Sequence, residues 1–151
     1  MREIDHPSRL KALAGQELAV SDWVVVDQAM VNAFAAATGD DQWIHTDVER
    51  ARSGPFGNTI AHGYLTLSLL SRLFGETVHI AGARMHVNYG VNRARFPAPV
   101  PTGSRVRARF ALVEAAEVDG GAIQSVWRAT VEREGGDKPV CVADTVMRSF
   151  P

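Results

Sequence analysis

Residues 58–75 read NTIAHGYLTLSLLSRLFG, with Ile60, Ala61, Tyr64, Leu65, Leu67, Leu69, Leu70, Leu73 and Phe74 ahead of a stop at Gly75. At 3.6 residues per turn these side chains point to nearly every side, so the segment reads as one long apolar helix that other structure must surround. Beyond Gly75 the period changes to two. ARMHVNYGV alternates Met85, Val87, Tyr89 and Val91 against His86, Asn88, Gly90 and Asn92. SRVRARFAL alternates Val106, Ala108, Phe110 and Leu112 against Arg105, Arg107 and Arg109, and AIQSVWRATVE sets Ile123, Trp127, Ala129 and Val131 on one face. A run from Val140 to Met147 follows; prolines in FPAPVPTGS separate the first two strands and DGG turns the chain between the next two. The expected fold class is α+β, with consecutive antiparallel strands in a curved sheet wrapped around the apolar helix.

Upstream, the β-branched run in SDWVVVD supplies a strand near residue 23 that can join the sheet. DQAMVNAFAAATG then predicts a helix with Asp27 as N-cap, Met30, Val31, Phe34, Ala35 and Thr38 at helical spacing, and Gly39 as the stop. In HTDVERARSG, Thr46 and Glu49 stand three apart as a capping box does, which makes His45 the residue before a second short helix. GDDQWIH, residues 39–45, is thus an inter-helix connection.

With 151 residues and 46% hydrophobic content, the chain suffices for one core and is expected to form a single domain over residues 1–151. A net charge of -1 lacks the basic excess that phosphate neutralisation needs, so no nucleic-acid partner is expected. Cys141, the single cysteine, sits in the strand-like KPVCVADTVM and reads as a buried small hydrophobe. The N-terminal MREIDHPSRLKALAG has charges throughout, and no window approaches the ~20 apolar residues of a membrane helix. A cytoplasmic protein without membrane attachment is expected.

Asp40 and His45 are five residues apart, roughly 140° around a straight helix, where they could not cooperate. In a tight connection both side chains can turn toward one point, and a carboxylate with an imidazole around one water suits general acid/base chemistry near neutral pH. The same residues also fit a turn aspartate after Gly39 and a helix-flanking polar histidine. Asp41 is expected to face solvent, and no further ligand recurs at metal-binding spacing nearby, so no metal is expected. Gly63, in the first turn of the apolar helix, brings free backbone N–H groups to the positive end of the helix dipole, where they can polarise a carbonyl. Close helix packing is its plainer use. His62 reads as a structural hydrogen-bonding histidine. Arg105, Arg107 and Arg109, with Arg93 and Arg95, can either meet coenzyme phosphates or form a solvated strand face.

ATGDDQWIHTDVERARSGPFGNTIAHGYLTLSLL, residues 37–70, resembles the hydratase motif of the MaoC-like (R)-specific enoyl-CoA hydratases, and NYGVNRARFPAPVPTGSRVRA is similar to their NodN-like branch. The resemblance implies a single hot-dog fold, with the motif on a short-helix overhang and the sheet continuing across a homodimer. The apolar strand from Met85 to Val91 asks for just such a covered edge. It also implies reversible syn addition of water to a trans-2-enoyl thioester, carried on coenzyme A or acyl carrier protein, to give the (3R)-hydroxyacyl thioester with no cofactor. Asp40 and His45 take the catalytic positions, Gly63 the backbone donor to the thioester carbonyl, and Ser71 an accessory polar position in the pocket. The commoner motif has Asn-Pro where this chain has Gln42 and Trp43. Gln42 retains hydrogen-bonding capacity and, with His62 and Ser71, is expected to support the pair or touch substrate. The rival activities are a hot-dog acyl-CoA thioesterase and a non-catalytic acyl-binding dimer module.

Overall fold

The computed structural model describes residues 1–151. In chain order the elements are β1 (Arg2–Ile4), a 3-10 turn (Pro7–Leu13), β2 (Gln16–Val20), β3 (Val24–Val26), α1 (Gln28–Thr38), α2 (Trp43–Thr46), α3 (Val48–Arg52), α4 (Gly63–Gly75), β4 (Val78–Ile80), β5 (Met85–Arg95), β6 (Ser104–Glu117), β7 (Ile123–Arg133) and β8 (Cys141–Phe150). β1 and β4 form a small parallel pair. The main sheet is antiparallel in the order β2-β6-β7-β8-β5, with β3 also paired to β6.

The expectation of consecutive antiparallel neighbours from β5 through β7, with the Val140 to Met147 run as a possible fourth, holds for β6, β7 and β8, but β5 does not sit beside β6, its successor in sequence. It crosses the sheet and pairs with β8, Met85 opposite Phe150 and Arg95 opposite Val142. The proline-rich segment 96–103 makes this possible, because it travels as a loop and leaves β6 to pair with β2, β3 and β7.

The inward face of the sheet is the alternating set read from sequence. Val106, Ala108, Phe110 and Leu112 of β6, with Ile123, Trp127, Ala129 and Val131 of β7, are buried in one cluster with Leu65, Leu69, Leu70 and Leu73 of α4. Phe74 meets the edges of Phe110 and Trp127 at ring-centroid distances of 5.2 and 4.9 Å. Trp127 also donates its indole N–H to Ser125 Oγ at 2.9 Å, so this large side chain is buried without an orphaned donor. Removing a side chain of that size from a core costs about 3–5 kcal/mol. Cys141 lies in the same cluster, and burial pushes its thiol up to about 11, so it packs as a hydrophobe.

α4 is not enclosed on all sides. Tyr64, Ser68, Ser71 and Arg72 form an exposed stripe, Tyr64 at 71% exposure. The strand that faces this stripe is β5, whose own residues are nearly all exposed. Its inward positions are the polar ones: Asn88 donates to Ser71 Oγ at 3.1 Å, and His86 hydrogen-bonds Ser149 of β8 at 3.0 Å. Met85, Val87 and Tyr89 therefore project from the outer face, where Arg148 lies 3.6 Å over the Tyr89 ring. From Met85 to Tyr89, β5 inverts the usual apolar-in, polar-out pattern, and past the register shift that follows Asn88, Val91 borders the cleft beside α4.

α1 begins and ends as its sequence dictates. Asp27 accepts from the Met30 N–H at 2.8 Å, and Gly39 closes the helix at φ 77° with its N–H on Ala35 C=O. The second cap differs from expectation. Asp47, not Thr46, caps α3 by accepting from the Arg50 N–H at 3.0 Å. Thr46 instead donates to Asp41 C=O at 2.9 Å, and His45 lies within the single turn of α2 instead of ahead of a helix. Aspartate competes better than a threonine whose hydroxyl a nearby carbonyl has already engaged.

Candidate active site

Three helix termini meet at one point. α1 ends at Gly39 and releases Asp40; α2 presents His45; His62 precedes the first turn of α4. One donor atom each from Asp40, His45 and His62 lies within 4.8 Å of the others. The convergence asked of Asp40 and His45 is thus present, and His62 joins them. Asp40 is exposed, as is Asp41, while His45 and His62 are buried at 7% and 2% exposure.

Hydrogen bonds fix both tautomers, because a carbonyl oxygen only accepts. His45 donates from Nδ1 to Ile60 C=O at 2.7 Å, which leaves the Nε2 lone pair open. His62 donates from Nε2 to Asp40 C=O at 2.8 Å, and its Nδ1 is buried with no partner. The two imidazoles stack with centroids 3.8 Å apart and planes 22° from parallel. Lone pairs in two nearly parallel planes at that separation cannot both aim at one ion, so the trio is poorly shaped as a metal site although its donors are close.

Neighbouring side chains hold the histidines from behind. Gln28, the first residue of α1, donates to His45 C=O at 2.7 Å and accepts from Thr59 Oγ1 at 2.6 Å. Phe34 of α1 packs against the His62 ring at 4.9 Å. Neither contact has a local sequence signal, since Gln28 and His45 are 17 residues apart and meet only through the fold. Trp43, standing where proline is usual, packs over Gly54, where an added Cβ would lie 3.0 Å from the indole; Arg50 stacks 4.3 Å over the same ring. The indole ties α2 to α3. Gln42 caps α2 through its backbone carbonyl, which accepts from the His45 N–H at 2.9 Å, while its side chain faces solvent.

Gly63 opens α4, a helix of 13 residues with no side-chain cap on its first N–H groups. Those donors and the positive end of the helix dipole coincide one residue from His62. An added Cβ at Gly63 would lie 3.0 Å from the ring of Phe96, another neighbour without a local signal. Gly63 and Phe96 line a hollow of about 260 Å³ with Phe56, Ile60, Ala61 and Thr66. Ser71 is elsewhere, eight residues and about 12 Å further along α4. It borders a larger cleft of about 460 Å³ between α4 and β5, floored by Phe110, Trp127 and Met147. His86 borders the same cleft, and partial burial with a lesser contribution from His79 lowers its affinity for a proton.

The arginine row is committed to carboxylates. Arg105 pairs with Glu134, Arg107 with Glu132 and Arg109 with Glu17, at 3.0, 2.8 and 2.5 Å. For these three the solvated strand face is the reading this geometry favours, whereas Arg93 and Arg95 of β5 make no salt bridge, Arg95 donating to Ala94 C=O.

A family profile described as MaoC like domain matches residues 9–136. The chain belongs to the MaoC-like dehydratase family. The expected hot-dog fold and hydro-lyase class are borne out by this membership. 3-Hydroxyacyl-thioester dehydratase Z of Mycobacterium tuberculosis (strain ATCC 25618 / H37Rv) is 51% identical over 148 residues, 98% of this MaoC-like chain and 98% of its own. Nodulation protein N of Rhizobium leguminosarum bv. viciae is 46% identical over 144 residues, covering 94% and 87% of the two chains. Among solved structures, the (R)-hydratase from A. caviae involved in PHA biosynthesis superposes with a TM-score of 0.72 at 25% identity, over 91% of this chain and 96% of that one. No helix of this family member is long and apolar enough to cross a membrane.

Proposed function

We propose that the protein is an (R)-specific hydratase that adds water reversibly to trans-2-enoyl thioesters, carried on coenzyme A or acyl carrier protein. The observation that carries this is the pairing of two open acceptors, the Asp40 carboxylate and His45 Nε2, beside the uncapped first turn of α4. Two acceptors can grip both O–H bonds of one water and leave its lone pair free to attack. In this reading the thioester carbonyl accepts from the Gly63 N–H, and the water sits over C3. As the C3–O bond forms, the C2=C3 electron pair moves toward the carbonyl, and Asp40 takes the water's proton with His45 orienting and relaying. Negative charge on the carbonyl oxygen meets a donor already in place, an arrangement worth on the order of 3 kcal/mol. The proton then returns to C2 from the same face, which regenerates Asp40 and gives the (3R)-hydroxyacyl thioester. No cofactor enters the balance.

Incubation with crotonyl-CoA and with a longer enoyl-CoA, following the conjugated absorbance and free thiol separately, tests this reading. Loss of conjugation without thiol release is expected; thiol release without hydration would replace the hydratase with a thioesterase.

The protein is further proposed to act as a homodimer in the cytoplasm, where a single unpaired and buried Cys141 is compatible with reducing conditions. The unpaired edge of β5 supports the dimer, with Met85, Val87, Tyr89 and Val91 at 50, 39, 58 and 47% exposure. A long apolar edge strand is an association hazard unless it is paired, and a two-fold β5-to-β5 contact would extend the sheet and cover the open side of α4. Light scattering at micromolar concentration should give twice the 16.4 kDa chain mass; a stable monomer would count against this arrangement.

A further inference from the structure

We infer that His62 is a positioning residue whose Nε2–H holds the peptide of Asp40 in place, an inference that rests on the proposed role of Asp40 and His45. Its ring is clamped between Phe34 of α1 and His45 of α2, with centroids 4.9 and 3.8 Å away, and its backbone begins α4. The residue therefore links all three helices that converge on the site, α1 and α2 through its ring and α4 through its backbone. Its one hydrogen bond goes to Asp40 C=O at 2.8 Å, immediately after the left-handed Gly39. No other protein donor reaches that carbonyl, and the Asp40 N–H has only a long contact of 3.4 Å with Thr38 Oγ1. His62 is thus the one protein donor to the Asp40 carbonyl, the group that fixes the peptide leading to Asp41.

The cost of this arrangement identifies it as more than packing. His62 Nδ1 is a buried nitrogen without a protein partner, and leaving a buried acceptor unpaired is destabilising. An apolar ring would fill the slot between Phe34 and His45 without that penalty, but it would leave Asp40 C=O without a donor. The residue that suits the site is one with a flat ring for the stack and an N–H at its far end.

Two substitutions separate these functions. His62→Phe keeps a ring against Phe34 and His45 and removes the donor. His62→Gln removes the ring but can place an amide N–H near the position of Nε2. Under the positioning role, His62→Phe lowers kcat for crotonyl-CoA hydration by about 10²-fold, since misplacement of a reacting group by 1 Å costs that much, and leaves KM within about threefold. His62→Gln recovers at least about tenfold of that loss. If packing alone mattered, the order would reverse: Phe would stay near wild type and Gln would lose both activity and thermal stability. Either that reversed order or equal losses in both variants overturns the inference. Asp40→Asn run beside them distinguishes the two readings: full activity there removes the catalytic role of Asp40 itself, whatever the His62 variants do.

Discussion

Asp40→Asn and His45→Asn are each expected to lower kcat for enoyl-thioester hydration by about 10²–10⁴-fold, the usual contribution of a general acid/base group. At about 1.4 kcal/mol per factor of ten this is about 3–5.5 kcal/mol of barrier. Asp40→Asn keeps size and hydrogen bonding and removes the negative charge; because the side chain is exposed, its removal should leave thermal stability nearly unchanged. For His45, asparagine is the informative choice because its amide N–H can replace Nδ1–H on Ile60 C=O, a buried bond of 2.7 Å, while nothing replaces Nε2. Both variants should leave KM within a few-fold by rough estimate, since each removes help given to the water rather than contact with the thioester. The double variant should lose far less than the product of the two, because in the proposed mechanism both groups hold the same water. Asp41→Asn is the internal control, expected within a few-fold of wild type as an exposed carboxylate with little to contribute. Steady-state hydration of crotonyl-CoA measures all four; an indispensable Asp41 beside a fully active Asp40→Asn would place the chemistry on the wrong residue.

That control is possible because the connection GDDQWIH is legible in the sequence itself. Its helix boundaries are written in local chemistry: Asp27 and Gly39 are placed where backbone donors and acceptors need them, and both act as expected. The core faces of β6 and β7 are equally plain, since Val106 to Leu112 and Trp127 to Val131 alternate apolar side chains with arginine, alanine or threonine and leave one apolar face in each. Legibility fails where distant segments compete. Thr46 and Glu49 have the spacing of a capping box, but Asp41 C=O captures the Thr46 hydroxyl and Asp47 takes the cap. The alternation of β5 is real, yet sequence cannot say which face turns inward, and here the polar one faces α4. Its pairing with β8 was hidden for the same reason, because strand order is set by contacts across the sheet. At the site, Gln28 and Phe96 carry no local signal and Phe34 reads only as an apolar position of its helix, since each meets its histidine or glycine only after the helices have docked.

Phe96 gives the second large expectation its physical content. Gly63→Ala should cost about 10²-fold in kcat/KM, near the lower end of what loss of an oxyanion donor costs. Alanine is the better helix former by roughly 1 kcal/mol, and φ at Gly63 is not in the left-handed region, so the substitution does not strain the backbone. What it does is put a methyl 3.0 Å from Phe96 Cδ2 and 3.1 Å from Cγ and Cε2, tighter than nearly all real contacts. Either the half-exposed ring moves or the first turn of α4 does, and under the proposed role the methyl also crowds the approach of the thioester oxygen to the N–H. Thermal stability should therefore hold while activity falls, the opposite of a core defect. Adding Phe96→Ala to Gly63→Ala separates the two causes: recovery assigns the loss to the displaced turn, and no recovery assigns it to the methyl itself. If Gly63→Ala alone hydrates crotonyl-CoA at the wild-type kcat/KM, the carbonyl is polarised by some other group, because no donor that must be approached this closely could tolerate the added carbon.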